Sequence, residues 1–266
     1  MAAWRAIPVR LWIFGSITST ANSSTGAISF ITPTATPTQF LQAIPNVGQC
    51  GGLLYCATSV AAINNAGWTV GAWSDANHVG HGFVNKGGTY TSIDYPGSVG
   101  FAATWANGIN DAGLVVGGYT DASNNRHGYV YNAKSNQFVG TPLDYPGNAG
   151  LTEAIGIDGY GRIVGRYFDG SDYQGFLYVD GAFSGLFGCA PPAITSGINN
   201  NGQIVGYYSN PSTAFITNDF GATCIPLSYP GGSPYAWAFS INDAGQISGQ
   251  WWAVGSTLPD GFVAVP

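Results

Sequence analysis

A five-fold internal repeat constrains this chain more than any other feature of its sequence. The pattern Ile-Asn-x-x-Gly, or a close variant, occurs five times, with successive spacings of 46, 48, 41 and 43 residues. The copies begin at Ile63, Ile109, Ile157, Ile198 and Ile241. A period of this length is typical of architectures in which each copy supplies one supersecondary unit.

Each repeat has the pattern of two β-hairpins. In the first hairpin, strands C and D flank the glycine of the motif, which can adopt the positive φ of a tight turn. Leu114-Val115-Val116-Gly117 is one such strand D. In the second hairpin, strand A contains sequences such as Gly82-Phe83-Val84, and strand B leads into turns such as Asp94-Tyr95-Pro96-Gly97. Proline ends strand B because it has no N–H to donate to a neighbouring strand.

Four short strands in every 41–48 residues predict one propeller blade per repeat. We therefore expect an all-β chain that folds as a five-bladed β-propeller, with four antiparallel strands in each blade. The propeller is expected to occupy residues 37–266, and residues 1–36 are expected to form an N-terminal arm.

The number of strands predicts how the propeller closes. Five C–D hairpins accompany six candidate A strands, of which the extra one is Ser29–Thr32. If every blade runs C, D, A, B, the last blade, residues 236–265, lacks only strand B. We expect an N-terminal strand at Thr38–Pro45 to fill this place, because an open edge strand is a template for aggregation.

The predicted arm carries apolar side chains that need shelter from water. They are Leu11, Trp12, Ile13, Phe14 and Phe30. Burying each of them would contribute about 1.5–3 kcal/mol. Two interpretations remain open: the arm packs on its own propeller, or it adds as a strand to a neighbouring copy.

The charge of the chain excludes some partners. Charged residues make up only 8% of the sequence, and the net charge is −6. The seven Lys and Arg residues are scattered, so nucleic-acid binding is not expected. No apolar stretch approaches the roughly 18 residues of a membrane span. Weak charge repulsion on such a surface favours self-association.

The four cysteines indicate disulfides and an oxidising compartment, since none shows the CxxC spacing of a metal site. Cys50 and Cys56 both lie in a B-to-C connection, where a small local loop is plausible. Cys189 and Cys224 lie near the B strands of adjacent blades, which they could link. Four cysteines allow three connectivities, so this pairing is a hypothesis.

The repeats also resemble those of the bacterial extracellular HAF-type repeat family. That family pairs a His-Ala-Phe strand with an Ile-Asn-Asp-x-Gly-x-Ile-Val-Gly hairpin. The corresponding segments here are His81-Gly82-Phe83, His127-Gly128-Tyr129, Ile109-Asn110-Asp111-Ala112-Gly113 and Ile241-Asn242-Asp243-Ala244-Gly245. The resemblance covers residues 28–266 and implies secretion or surface display. It implies no catalytic residues.

A candidate ligand site lies where the repeats differ from one another. Four residues before the motif isoleucine, strand C carries Ser59, Trp105, Glu153, Ile194 and Trp237. Glu153 is the only glutamate in the chain, and Arg166 lies on strand D of the same repeat. Trp105 and Trp237 could stack on a sugar while Glu153 accepts hydrogen bonds. Alternatively, these side chains fill the central channel and Glu153 pairs with an arginine.

The remaining polar residues suggest structural roles. Asp94 and Asp144 are expected to cap turns, Asp75 and Asp121 to stabilise loops, and the histidines to belong to the repeat. No metal, phosphate or nucleophile motif indicates a cofactor.

The sequence thus favours an extracellular, non-enzymatic assembly protein, a surface or filament component. A carbohydrate-binding propeller or a sugar-active enzyme that uses Glu153 is the alternative.

Overall fold

The strands of the chain are arranged as the repeat predicts. The computed structural model describes residues 5–9, 58–147, 150–186, 188–190, 192–227, 235–252 and 259–265. Within these ranges there are twenty β-strands and no helix. The strands form five antiparallel four-stranded sheets, the blades of a five-bladed β-propeller. The predicted fold class is therefore confirmed.

Each repeat supplies the strands of one sheet, and β1 (Arg5–Val9) joins the last of them. The first sheet contains β2 (Thr58–Ile63), β3 (Thr69–Ser74), β4 (Gly80–Lys86) and β5 (Thr89–Ile93). The second contains β6 (Thr104–Ile109), β7 (Leu114–Thr120), β8 (Arg126–Asn132) and β9 (Gln137–Phe138). The third contains β10 (Thr152–Ile157), β11 (Ile163–Phe168), β12 (Tyr173–Val179) and β13 (Ala182–Gly185). The fourth contains β14 (Ala193–Ile198), β15 (Ile204–Tyr208), β16 (Ala214–Thr217) and β17 (Cys224–Pro226). The fifth contains β18 (Ala236–Ile241), β19 (Ile247–Trp251) and β20 (Asp260–Val265).

The order of strands within each sheet follows the predicted sequence of hairpins. In the first four sheets the strands are hydrogen-bonded in chain order, which corresponds to C, D, A, B. Where strands C and D pair, the register shifts by one residue, for example between Ala106 and Gly108. This β-bulge leaves one residue of strand C outside the ladder, Asn107 in this sheet, two residues after Trp105 of the candidate site.

The chain divides into two compact units, with a boundary between Ala154 and Ile155 in β10. In the unit that contains the first two sheets, the core includes Val70, Val84 and Val115, all fully buried. In the other unit, two clusters lie between successive sheets, one around Val164 and one around Ile247. Within each unit, apolar burial between neighbouring sheets therefore holds the repeats together.

The fifth sheet is completed by a strand from the N-terminal region. β1 pairs antiparallel with β20, so that Arg5 lies opposite Val265 and Val9 opposite Gly261. An N-terminal closing strand is predicted and confirmed, but its predicted position at Thr38–Pro45 is wrong. An edge strand is held by backbone hydrogen bonds that any extended segment can supply, so similarity to the repeat is a poor guide to it.

Much of the predicted arm lies outside the described residues. This applies to Leu11, Trp12, Ile13, Phe14 and Phe30, to the surplus strand at 29–32 and to the boundary at residue 36. β1 falls within the range predicted as the arm. The division into an arm and a propeller at residue 36 stays a prediction.

A disulfide links the third and fourth sheets as predicted. Cys189 follows β13 and Cys224 begins β17, and their Cα atoms are 5.0 Å apart. The bond joins the loop after one outer strand to the outer strand of the next sheet. Cys50 and Cys56 lie outside the described residues.

Candidate functional site

The asparagine of the repeated motif builds the C–D turn and links it to the next repeat. The side-chain oxygen of Asn64 accepts hydrogen bonds from the amides of Ala66 and Trp68, at 3.1 and 2.9 Å. Its Nδ2 donates to the carbonyl of Asn110, the equivalent residue of the second repeat, at 3.1 Å. Asp158 and Asn199 cap their own turns in the same way. The most repeated polar residue of the chain is therefore structural.

The predicted site residues on strand C occupy equivalent positions in their sheets. Trp105 lies directly opposite Gly118 on the paired strand, Ile194 opposite Tyr207, and Trp237 opposite Gln250. These are the positions that the sequence aligns across repeats. The side chains of Trp105, Arg166 and Trp237 are partly buried, and Glu153 is buried, with 5% of its surface exposed.

Arg126 brings Trp105 and Glu153 together, and it is the arginine partner that the alternative interpretation expected for Glu153 without naming it. Nη1 of Arg126 donates to Oε1 of Glu153 at 2.8 Å. The Arg126 guanidinium also lies 5.8 Å from the centre of the Trp105 ring. We call these three residues the Trp105–Arg126–Glu153 cluster. The signal in the sequence was available, because Arg126 begins β8 where the first repeat has Gly80 and the third has Tyr173.

The absence of a side chain at Gly118 determines where the Trp105 indole lies. A Cβ on Gly118 would lie only 2.4 Å from Cζ2 of the Trp105 indole, so the indole lies directly over this glycine. A larger residue at position 118 would have to displace the ring. The glycine opposite Trp105 thus holds one flat aromatic face beside the Arg126–Glu153 ion pair.

The other two predicted site residues make different contacts. Trp237 packs against Tyr207 and Trp252, with ring centroids 5.3 and 5.0 Å away. Its indole nitrogen is buried and has no hydrogen-bond partner in the part of the chain that is described. The Arg166 guanidinium lies 4.9 Å from the centre of the Tyr173 ring. These contacts of Trp237 and Arg166 differ from those that hold Trp105 beside Arg126.

Two histidines lie between carboxylates, an arrangement that the sequence analysis did not foresee. Nδ1 of His127 is 2.7 Å from Oδ1 of Asp144, and its Nε2 is 3.3 Å from Oδ2 of Asp121. In the preceding repeat, Nδ1 of His81 is 2.5 Å from Oδ1 of Asp94. Each histidine therefore ties strand A to the Asp-Tyr-Pro-Gly turn of the same sheet. The conserved spacing within the repeat was the available signal.

The loop aspartates have the structural role that the sequence predicts. Oδ1 of Asp121 accepts hydrogen bonds from the amides of Ser123 and Asn125, both at 2.8 Å. These bonds, first of all the one from Asn125, hold the pKa of Asp121 below its usual value. Asp75 caps its own loop in the same way, with its pKa lowered first by the amide of Val79.

Tyr119, on strand D of the second repeat, packs against the preceding repeat. Its ring stacks on Tyr95 of the preceding repeat, with centroids 3.7 Å apart and planes inclined by 6°. Burial raises the pKa of Tyr119 well above its ordinary value.

Among the described residues no group of three or more His, Cys, Asp or Glu side chains could hold a metal ion. In the same ranges, no helix is long and apolar enough to cross a membrane.

Comparisons with known proteins support the fold. No protein-family model matches the chain, and no curated protein matches it. Among solved structures, TolB from Acinetobacter baumannii matches with a TM-score of 0.51 and 12% identity, over 78% of this chain and 54% of TolB. The chain thus spans about half the length of TolB. The resemblance to the HAF-type repeat family stays a prediction.

Two further solved structures are more distant. The gluconolactonase XC5397 from Xanthomonas campestris matches with a TM-score of 0.42 and 13% identity, over 79% of this chain and 77% of that protein. A mutant of AofleA from Arthrobotrys oligospora matches with a TM-score of 0.44 and 14% identity, over 78% of this chain and 68% of that protein. Of these three matches, only the one to TolB has a TM-score above 0.5, and at 12% identity it bears on the fold alone.

Proposed function

We propose that this protein is an extracellular, non-enzymatic subunit that assembles by exchanging its N-terminal strand between copies. The observation that carries the proposal is the pairing of β1 with β20 at the edge of the fifth sheet. A strand at this position is held to β20 by hydrogen bonds between the two backbones. The same hydrogen bonds form equally well when β1 comes from a neighbouring copy, which is the basis of strand exchange.

The covalent chain permits either arrangement. β1 ends at Val9 and β2 begins at Thr58, so 48 residues connect them. An extended chain of this length spans at most roughly 160 Å, far more than the width of one domain. The connection therefore does not restrict β1 to its own copy.

The composition supports assembly outside the cell. With only 8% charged residues, copies of this chain repel one another weakly. The apolar residues Leu11, Trp12, Ile13 and Phe14 directly follow β1 in the sequence and would gain from shelter in a contact between copies. The Cys189–Cys224 disulfide supports an oxidising compartment.

The test compares the full chain with a variant that lacks residues 1–9. By light scattering coupled to size exclusion, we expect the full chain to form oligomers and the truncated variant to be monomeric. A synthetic peptide of residues 1–9 should bind the truncated protein and block its capture by the full chain. A full chain that stays monomeric at all concentrations, or a truncated variant that still assembles, would contradict the proposal.

A second candidate function is carbohydrate binding at the Trp105–Arg126–Glu153 cluster. Its support is an indole face held beside an ion pair, since sugar rings stack on aromatic faces while charged groups bind their hydroxyls. Loss of glycan binding in Trp105→Ala, with the fold intact, would support this function. If turnover of a sugar substrate were found, unchanged activity in Glu153→Gln would exclude Glu153 as its acid.

A further inference from the structure

A guanidinium group lies between two exposed aromatic rings at the C–D turn of the third repeat. Cζ of Arg162 is 4.9 Å from the centre of the Tyr160 ring and 4.8 Å from that of Phe220. Tyr160 is 77% exposed and Phe220 is 42% exposed. We call these residues the Tyr160–Arg162–Phe220 stack. Exposed aromatic and arginine side chains held together in this way are typical of binding surfaces.

Arg162 is fixed in place but uses only part of its hydrogen-bonding capacity. Its Nε donates to the buried carboxylate of Asp158, and its Nη2 donates to the carbonyl of Asn200 at 2.9 Å. A guanidinium carries five N–H groups. The contacts within the described ranges use two of them, and the Arg162 side chain is 18% exposed. The remaining N–H groups have no partner within those ranges and are the donors that a ligand could use.

The structural role of Arg162 does not require an arginine. In the fourth and fifth repeats the same position holds Gln203 and Gln246, whose side chains pair with the motif residues Asn199 and Asn242 at 2.7 and 2.8 Å. An Asn–Gln pair is thus sufficient for this turn. The third repeat replaces it with Asp158 and Arg162, and replaces a small or polar neighbour with Tyr160.

Phe220, which supplies the second ring of the stack, has an unusual backbone conformation. Phe220 has a φ of +57°, a region that bulky side chains rarely adopt. A Cβ on Gly202 would lie 2.4 Å from Cζ of Phe220, so the ring rests directly on this glycine. The side chain of Thr217 accepts a hydrogen bond from the amide of Gly221 at 2.8 Å, which stabilises the loop. The position of the ring is therefore imposed by its surroundings.

The backbone N–H groups of this turn are not available to a ligand. The amides of Tyr160 and Arg162 both donate to Oδ1 of Asp158 at 2.9 Å, and the amide of Gly161 donates to the Asp158 carbonyl at 3.1 Å. The amide of Gly159 donates to Oδ1 of Asn200 at 2.6 Å. A ligand that presents an acceptor, such as a carboxylate, would find no free main-chain donor at this turn, so it has to use the donors of side chains.

We propose that the Tyr160–Arg162–Phe220 stack binds an acidic saccharide, with a sugar ring against Tyr160 and a carboxylate on the free N–H groups of Arg162. An aromatic face binds the C–H face of a pyranose, and a guanidinium edge binds a carboxylate through two parallel hydrogen bonds. The site is independent of the N-terminal strand.

The test measures calorimetric binding of oligogalacturonate and of the matched neutral galactose oligomer. We expect the acidic oligomer to bind at least tenfold more tightly, and Tyr160→Ala to weaken its binding at least tenfold. The double variant Asp158→Asn/Arg162→Gln reproduces the natural pair of the fourth and fifth repeats, so it should fold normally and lose the preference for acid. Tyr235→Ala, which removes another exposed tyrosine, is the control and should bind normally.

Several outcomes would overturn the proposal. These are equal binding of the neutral oligomer, no binding of oligogalacturonate by the wild-type protein, or unchanged binding by either variant. Polyglutamate is the probe for the competing class of ligand. If it bound with the same dependence on Tyr160 while oligogalacturonate did not, the site would recognise acidic peptides instead.

Discussion

Tyr145 and Tyr167 stack face to face, with ring centroids 3.6 Å apart and planes inclined by 4°. Tyr145 belongs to the Asp-Tyr-Pro-Gly turn that ends the second repeat, and Tyr167 lies on strand D of the third. Tyr95 and Tyr119 form the same contact one repeat earlier. The turn tyrosine of one repeat therefore packs on the strand D aromatic of the next.

This stack predicts a loss of stability at high pH. Burial, followed by the hydrogen bond with Tyr145, raises the pKa of Tyr167 from 10.0 to about 12. The folded state thus favours the protonated phenol, so the contribution is complete below pH 10 and is lost as the pH rises towards about 12. In urea unfolding, Tyr167→Phe should remove this part of the pH dependence. Tyr235→Phe should leave it unchanged, and an unaltered profile in Tyr167→Phe would contradict the prediction.

The motif asparagine is expected to be important for stability. Asn64→Ala removes two hydrogen bonds to turn amides and one to the next repeat, all at a buried position. We expect a loss of roughly 1–3 kcal/mol in the free energy of unfolding, because turn donors are left unpaired. Asn65→Ala in the same turn removes only the exposed side-chain hydrogen bond to Asp111 and should cost less. Equal losses would show that burial does not decide the effect.

The Cys189–Cys224 disulfide is expected to stabilise the protein through its unfolded state. It closes a loop with a sequence separation of 35 residues, for which chain entropy predicts about 3–4 kcal/mol. The double variant Cys189→Ser/Cys224→Ser should unfold at correspondingly lower urea concentrations. Peptide mapping without reductant should recover the linked peptides from wild type. If these peptides were recovered unlinked, the pairing would be wrong.

Gly118 and Trp105 should be energetically coupled. Gly118→Ala brings a methyl group into the space of the Trp105 indole and should cost roughly 1–3 kcal/mol. In the background of Trp105→Ala the same substitution should cost much less, because the obstruction is gone. A double-mutant cycle by chemical denaturation measures the coupling. Additive effects would mean that the indole does not lie over this glycine.

The repeated parts of the structure could be predicted because five copies reinforce the same signal. A positive φ at Gly113, where the motif predicts a turn, and the pairing of Trp105 with Gly118 both follow from aligning the repeats. The candidate site was predictable only in part. Arg126 is visible as a departure from the repeat, but its contact with Glu153 spans 27 residues of sequence, so the sequence did not show what this arginine binds.

The number of blades and the order of strands within the first four of them were determined by the sequence itself, whereas the Cys189–Cys224 link was one of the pairings that the sequence left open. Hydrophobic periodicity and turn-forming residues are local properties of the sequence. Because they recur in five copies, the strands and turns that they specify can be recognised from the sequence alone. Only the tertiary structure decided that Arg5–Val9 completes the fifth sheet, and that Tyr160, Arg162 and Phe220 meet at one turn. Backbone pairing at an edge is nearly independent of side chains, and contacts between distant residues depend on how the sheets pack.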